Sequence, residues 1–257
     1  MNAMPDPSRL TMPDGRTARC LVIVPAYNES GSIAQVVKGL HEHLPEVDVL
    51  VIDDGSVDRT YQHVPSPARV IRLPFNLGIG GAMQTGYRYA ALNHYDVAVQ
   101  VDGDGQHPPS EVARLIEHLL TTDCDMVVGS RFKQTIEYRQ SLPRMFGIHF
   151  LRLWIHLLIG RRFSDCTSGF RAVNRKVIDC YAHWYPADYP EPEVLVLLSN
   201  QKMCIEEMQV HMEQRSTGQS SIPLHRGLFY VSKVAVAVLL DMMRDPWPHR
   251  KHKEINP

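Results

Sequence analysis

The sequence predicts an α/β fold: a single domain built on a mainly parallel, doubly wound sheet with helices on both faces. Apolar runs rich in Val and Ile recur at 21–24, 47–52, 68–73, 97–101 and 125–129, and the intervals between them carry apolar residues at helical spacing. Such alternation implies a parallel sheet, because parallel neighbours need crossover connections that helices supply. Several of the runs also end in a polar cluster: Asn28-Glu29, Asp53-Asp54, Asp102 with Asp104, and Ser130-Arg131. In open α/β sheets the ligand crevice lies at the carboxyl ends of the strands, so these clusters share one rim.

The first run stops at Pro25-Ala26-Tyr27-Asn28-Glu29-Ser30. Ser32 and Gln35 then form a capping box for a helix with Ile33, Val36, Val37 and Leu40 on one face. The second run enters Asp53-Asp54-Gly55-Ser56, and a short helix at 58–63 leads to the third. Asn76-Leu77-Gly78-Ile79-Gly80-Gly81-Ala82 opens a helix through Ala91 whose small residues suit close packing on the sheet. It is not a dinucleotide fingerprint, since Met83 stands at the third glycine's place and the stretch does not follow the first strand. After the fourth run, Pro108-Pro109 suits a helix start, and Val112, Leu115, Ile116, Leu119 and Leu120 continue it. The second half predicts a helix at 144–159, a short helix after Asn174, a proline-rich connection opening a helix through Leu198, a strand at 204–212 and a last helix at 224–243.

With 27 basic and 28 acidic residues the formal net charge is -1, which excludes a dedicated nucleic-acid binder. The five scattered cysteines contain no Cys-x-x-Cys pair and read as reduced thiols of a cytosolic protein, not a disulfide framework or zinc site. Residues 1–19 lack a signal-peptide core and are expected to form a flexible leader, with the domain at 20–222 and an amphipathic helix and basic tail at 223–257. No stretch reaches the roughly 18 apolar residues of a membrane span.

The chemistry concentrates in Asp102-Gly103-Asp104-Gly105-Gln106-His107. In an extended backbone residues i and i+2 point to the same side, so Asp102 and Asp104 would present two carboxylates to one hard cation, leaving room for water and a diphosphate. An acidic turn is the alternative, since an isolated Asp-x-Asp is common.

Six motifs, in order, give the chain its resemblance: Val24-Pro25-Ala26-Tyr27-Asn28-Glu29, Val51-Ile52-Asp53-Asp54-Gly55-Ser56, Asn76-Leu77-Gly78, Asp102-Gly103-Asp104-Gly105-Gln106-His107-Pro108, Gly129-Ser130-Arg131-Phe132 and Ser168-Gly169-Phe170-Arg171. The sequence resembles glycosyltransferase family 2, the inverting GT-A enzymes, and within it the polyprenol-phosphate (dolichol-phosphate) mannosyl- and glucosyltransferases. The resemblance implies a nucleotide pocket of Pro25, Tyr27, Glu29, Asp53, Asp54, Gly78, Asp102 and Gly103, and Mg²⁺ or Mn²⁺ held by Asp102, Asp104 and Gln106, with Asp104 also a catalytic residue. It implies acceptor-phosphate contacts at Arg131, Arg144, Arg215 and Ser220. Arg171 is either an anion contact or a structural partner of a carboxylate such as Asp165.

The implied reaction carries a sugar from a UDP- or GDP-sugar to a polyprenyl phosphate or lipid-linked saccharide in cell-envelope glycan synthesis, at the cytoplasmic membrane face. A lipid phosphate is already ionised. A soluble or polymeric glycan hydroxyl, the first alternative, needs a base, for which Glu191 and Glu193 are the catalytic candidates; both also suit a helix's first turn. Two other classes remain: a sugar nucleotidyltransferase, which would carry a glycine-rich loop with Arg and Lys where Pro25 to Ser30 stand, and a non-catalytic nucleotide- or glycan-binding module. The apolar faces of 144–159 and of the last helix (Phe229, Tyr230, Val234, Val238) admit a peripheral membrane contact, aided by Trp247, Arg250, Lys251 and Lys253; the alternative buries them in the core or a homodimer contact.

Overall fold

The computed structural model describes residues 10–131, 142–188, 190–213 and 233–239, with side chains 142–146 and 148 left aside. Seven strands form one sheet in the order β3-β2-β1-β4-β6-β5-β7. β1 (Cys20–Ala26) lies between β2 (Asp48–Asp53) and β4 (Val97–Gln100), both parallel to it, and β3 (Arg69–Arg72) forms the edge beyond β2. β5 (Met126–Ser130) and β7 (Ile205–Gln209) are parallel to each other.

Between β4 and β5 lies β6 (Arg171–Asn174), antiparallel to both. The sheet is therefore mixed, with one reversed strand that the sequence pattern does not announce. Four residues flanked by Arg and Asn are too few to show alternation.

β1 alternates its side chains between two cores, as the pleat requires. Leu21 and Ile23 join α2 (Gly78–Leu92), α4 (Leu142–Ile159), α5 (Arg175–His183) and α6 (Pro190–Asn200) on one face. Val22 and Val24 join α1 (Ile33–His43) and α3 (Pro109–Thr121) on the other. The 58–63 segment is a 3-10 turn, Thr60–His63, and the sixth helix begins at Pro190, with its prolines inside the first turn, where a missing N–H costs nothing.

Three expectations change. Ser32 does not cap α1 with its side chain; its hydroxyl donates to Gly103 O at 2.7 Å. Glycine packing at the start of α2 is against a loop, not the sheet. A Cβ on Gly80 would lie 2.1 Å from Pro186 O, whereas the contact with the sheet falls at Gly86, against Ile23. In the helical segment 233–239, Val234 and Val238 are fully buried in the core, and Trp154 Nε1 donates to Ala235 O at 3.2 Å. Those two valines are therefore not membrane-facing. Phe150, Leu153 and Leu157 of α4 and Val236 and Leu239 do stand exposed. Among the described residues no helix is long and apolar enough to cross a membrane.

Candidate active site

The chain leaves β1 toward β2 and β3, then returns to place β4 on the other side of β1. At such a switch point the loops after β1 and β4 diverge and open a crevice. Val101 N–H still bonds Ile23 O at 3.0 Å, so the backbone after β4 runs alongside Val24 to Ala26. A Cβ on Gly103 would lie 3.3 Å from Pro25 O and 3.6 Å from Glu29 Cγ. Pro25, Glu29 and Gly103, separate in sequence, thus meet at one point, and Ser32 ties the two loops there.

Asp102 and Asp104 lie past the end of β4, Asp104 within a turn. The strand ends at Gln100, and residues 103–104 form a turn, so strand alternation does not set their directions. What orients them is local bonding. Asp104, 7% exposed, accepts Gln106 N–H on Oδ1 at 3.0 Å. Asp102 donates its N–H to His107 Nδ1 at 3.1 Å and leaves its carboxylate 39% exposed. His107 is buried and stacks on Phe170, with ring centroids 4.4 Å apart, and burial pushes its pKa below the ordinary histidine value.

The loops after β1 and β2 are laced by side chains. Asn28, at φ 57°, accepts Val57 N–H on Oδ1, and its own N–H bonds Ser56 Oγ. Glu29 N–H donates to Thr60 Oγ1 and Ser30 N–H to Asp58 Oδ2.

The neighbouring aspartates have different roles. Asp54, buried, accepts Leu77 N–H and Gly78 N–H on its two oxygens at 2.7 and 2.9 Å, which satisfies donors at the start of α2. Its burial raises its pKa while those two bonds pull it down. Asp53 accepts Ser56 N–H on Oδ1; its buried Oδ2 has no hydrogen bond among the described residues and lies 3.7 Å from Arg72 Nε. Tyr27 stands 48% exposed beside them.

Glu191 and Glu193 share the first turn of α6, but residues two apart on a helix do not face the same way. Glu191 feels the Asp102 charge. Burial raises its pKa, the Arg171 guanidinium opposes the rise, and the Asp102 charge adds to it. Glu193 is buried.

Arg171 is not the partner of Asp165. Arg131 is: its Nε and Nη2 donate to the two Asp165 oxygens at 2.7 and 2.9 Å, and Nη2 also reaches Thr167 Oγ1. Asp165 is fully buried, and Glu207 of β7 accepts the Ser164 and Asp165 N–H groups behind it. Much of the Arg131 fork is thereby committed to holding its own loop. Arg171, inside β6, donates instead to Ser168 O and Glu191 O, with Nη1 buried and unbonded among the described residues. Arg144 falls in α4 with its side chain outside the described residues, as are Arg215 and Ser220 altogether.

Sequence reasoning named Ser32, His107 and Arg171 without the contacts they make here, and it missed Glu207. Each acts through a contact between segments distant in the chain or through a turn, and no spacing rule reports these.

The mixed seven-stranded sheet with helices on both faces is a GT-A-like fold. The chain belongs to glycosyl transferase family 2, whose family model matches residues 21–182. It is 31% identical to polyprenol monophosphomannose synthase of Mycolicibacterium smegmatis over 171 residues, covering 63% of this chain and 64% of that protein. It is 30% identical to the UDP-N-acetylglucosamine–dolichyl-phosphate N-acetylglucosaminyltransferase of Methanococcus voltae, covering 74% and 83% of the two chains. Its fold matches glucosyl-3-phosphoglycerate synthase from Mycobacterium tuberculosis, solved with Mn²⁺, UDP and glucosyl-3-phosphoglycerate, at a TM-score of 0.67 and 22% identity, covering 87% of this chain and 79% of that one.

Proposed function

We propose that the chain transfers a sugar from a nucleoside-diphosphate sugar to a polyprenyl phosphate, with inversion at the anomeric carbon. The observation that carries the reading is the meeting of the Pro25–Glu29 loop with the Asp102–Gln106 turn at the switch point, where a nucleoside diphosphate would lie across both. The two relatives, named for polyprenol- and dolichyl-phosphate chemistry, support this acceptor class.

The donor set fits a divalent cation. Asp102 and Asp104 would offer carboxylate oxygens and Gln106 its amide oxygen, while among the described residues no three His, Cys, Asp or Glu side chains form a cluster that could hold the ion alone. Few protein oxygens, completed by water and phosphate oxygens, is the usual way Mg²⁺ is held in nucleotide sites. The structural neighbour binds Mn²⁺ with UDP in one structure and Mg²⁺ with UDP in another. When bound, the cation would stabilise charge on the departing diphosphate as a Lewis acid. Pro25, Tyr27, Glu29 and Gly103 would line the nucleotide side, with the fully buried Asp53 supporting the turn behind them. Asp54 serves that pocket by fixing Leu77 and Gly78, since both its oxygens are bonded there. Arg144, Arg215 and Ser220 are the proposed acceptor-phosphate contacts, and Arg131 holds its own loop through Asp165.

A second reading is favoured by one feature: burial raises the Glu191 pKa, with Arg171 opposing the rise and the Asp102 charge adding to it. A carboxylate there can take the proton of a sugar hydroxyl as it attacks, while the nucleoside diphosphate leaves.

Thermal shift with UDP-, GDP- and dTDP-sugars, each with Mn²⁺ or Mg²⁺, identifies the donor. Transfer assays with polyprenyl phosphate and with glycan hydroxyls then separate the acceptors. One metal-dependent donor and transfer to the phosphate are expected. Stabilisation by none of the donors would overturn the donor assignment, and transfer only to hydroxyls would replace the first reading with the second.

A further inference from the structure

We infer that His107 is a positioning residue that sets the direction of the Asp102 carboxylate toward the cation and diphosphate. The inference rests on the proposed reading of Asp102 as a metal ligand. Its ground is the way the ring is held. Asp102 N–H donates to Nδ1 at 3.1 Å, so Nδ1 carries a lone pair and Nε2 carries the ring proton. Nε2 in turn stands 3.8 Å from Asp102 Oδ2. The imidazole therefore bonds the backbone donor of Asp102 and stands near its carboxylate without hydrogen-bonding it.

The ring itself cannot wander. It is 7% exposed and lies nearly parallel to Phe170, at 14° and 4.4 Å between centroids. Phe170 is in turn fully buried, and its O accepts Gly129 N–H at 2.8 Å, so the plate behind the ring is anchored to β5. On the other side Pro108 and Pro109 start α3 directly after the histidine, which fixes its backbone. The rigid wall is needed because Asp102 lies beyond the end of β4, where no ladder bond holds it, and its carboxylate is 39% exposed. A residue that fixes a ligand through its other hydrogen bonds acts on affinity without touching the metal.

Three variants of the full chain separate positioning from packing. H107F keeps the stack and the volume but removes the acceptor for Asp102 N–H. H107N places its amide oxygen near the site of Nδ1 and keeps that acceptor. H107Q carries its oxygen farther out and loses it. Mn²⁺ affinity is measured by electron paramagnetic resonance titration of MnCl₂ in the presence of UDP or GDP, beside the thermal midpoint of each variant.

Positioning predicts the order wild type, then H107N, then H107F and H107Q, with the last two weakened about tenfold or more in Mn²⁺ affinity. It also predicts acceptor KM unchanged in H107N. A purely structural ring predicts the reverse order, with H107F above H107N, and that result would overturn the inference. Equal Mn²⁺ affinity in all three would do the same. If H107F does not fold, the ranking of H107N over H107Q decides. If the wild-type chain binds no Mn²⁺ with either nucleotide, the metal reading fails and the inference fails with it; wild-type binding with no loss in the variants sinks the inference alone.

Discussion

Glu191 shows how a single side chain acquires a property its sequence position does not state. The pair Glu191 and Glu193 reads as two equal acidic residues in a helix's first turn, and only the packed structure separates them. Burial disfavours the charged form of Glu191, the nearby Asp102 charge disfavours it further, and Arg171 opposes both. The sign of the consequence follows. A base must be ionised, so transfer to a hydroxyl acceptor should rise with pH along a limb displaced above the ordinary glutamate value of 4.5. The folded protein also holds this proton more tightly than the unfolded chain does. Stability at this site is therefore present below the unfolded value and is lost as pH rises through the raised one. Glu191→Gln should then be at least as stable as wild type at neutral pH while losing hydroxyl transfer. Retained hydroxyl transfer with an unmoved pH limb would remove Glu191 from the base role. Arg171 was equally ambiguous beforehand. Placing it in β6 turns it toward α6, and Asp165 is left to Arg131, whose loop lies beside it.

At the level of elements, what was legible were the strands with continuous apolar runs and the helices with a strong face. β1, β2 and β4 are buried on both sides and so read as Val- and Ile-rich stretches, and α3 declares itself through Val112, Leu115, Ile116 and Leu119. β6 was not legible, because a four-residue strand carries no period and its reversed direction is set by its partners. Asp102 and Asp104 were legible as a pair but not as a turn, since strand ends are fixed by bonding and not by residue type. The start of α2 illustrates coupling between elements. Gly80 N–H bonds Ala187 O at 3.2 Å, and a Cβ there would sit 2.1 Å from Pro186 O and 2.3 Å from Ala187 O. Those are backbone atoms of the segment that leads into α6, so they move only with it. Gly80→Ala should cost about 1–3 kcal/mol through overpacking. It should also displace Glu191, lowering turnover more than the lost stability accounts for. Chemical denaturation together with kcat checks this; a destabilised protein with normal kcat at low temperature would show that the segment yields without disturbing the site.

The molecule as a whole places its candidate site between pieces that the fold does not join strongly by itself. The β1 and β2 loops, the turn after β4 and the first turn of α6 come from four places in the sequence, linked by a few side-chain bonds such as Ser32 to Gly103 and Arg171 to Glu191. A nucleoside diphosphate with its cation would touch several of them at once and bind only the folded state. At a hundredfold excess over Kd such a ligand stabilises by about 2.7 kcal/mol. For a chain of this size that is a rise in Tm of roughly 5–10 °C, from about 2–4 °C per kcal/mol. The metal-dependent part of that rise should vanish in Asp102→Asn. The same substitution should leave the Tm without ligand nearly unchanged, because the Asp102 side chain is 39% exposed and its only hydrogen bond given in the described structure is through the backbone N–H. A parallel Asp165→Asn control should behave oppositely. It removes the fully buried charge facing Arg131 and should lower the Tm whether or not nucleotide and Mn²⁺ are present. If Asp102→Asn keeps its full metal-dependent rise, the cation is held elsewhere, and the turn after β4 is a structural loop of the nucleotide pocket.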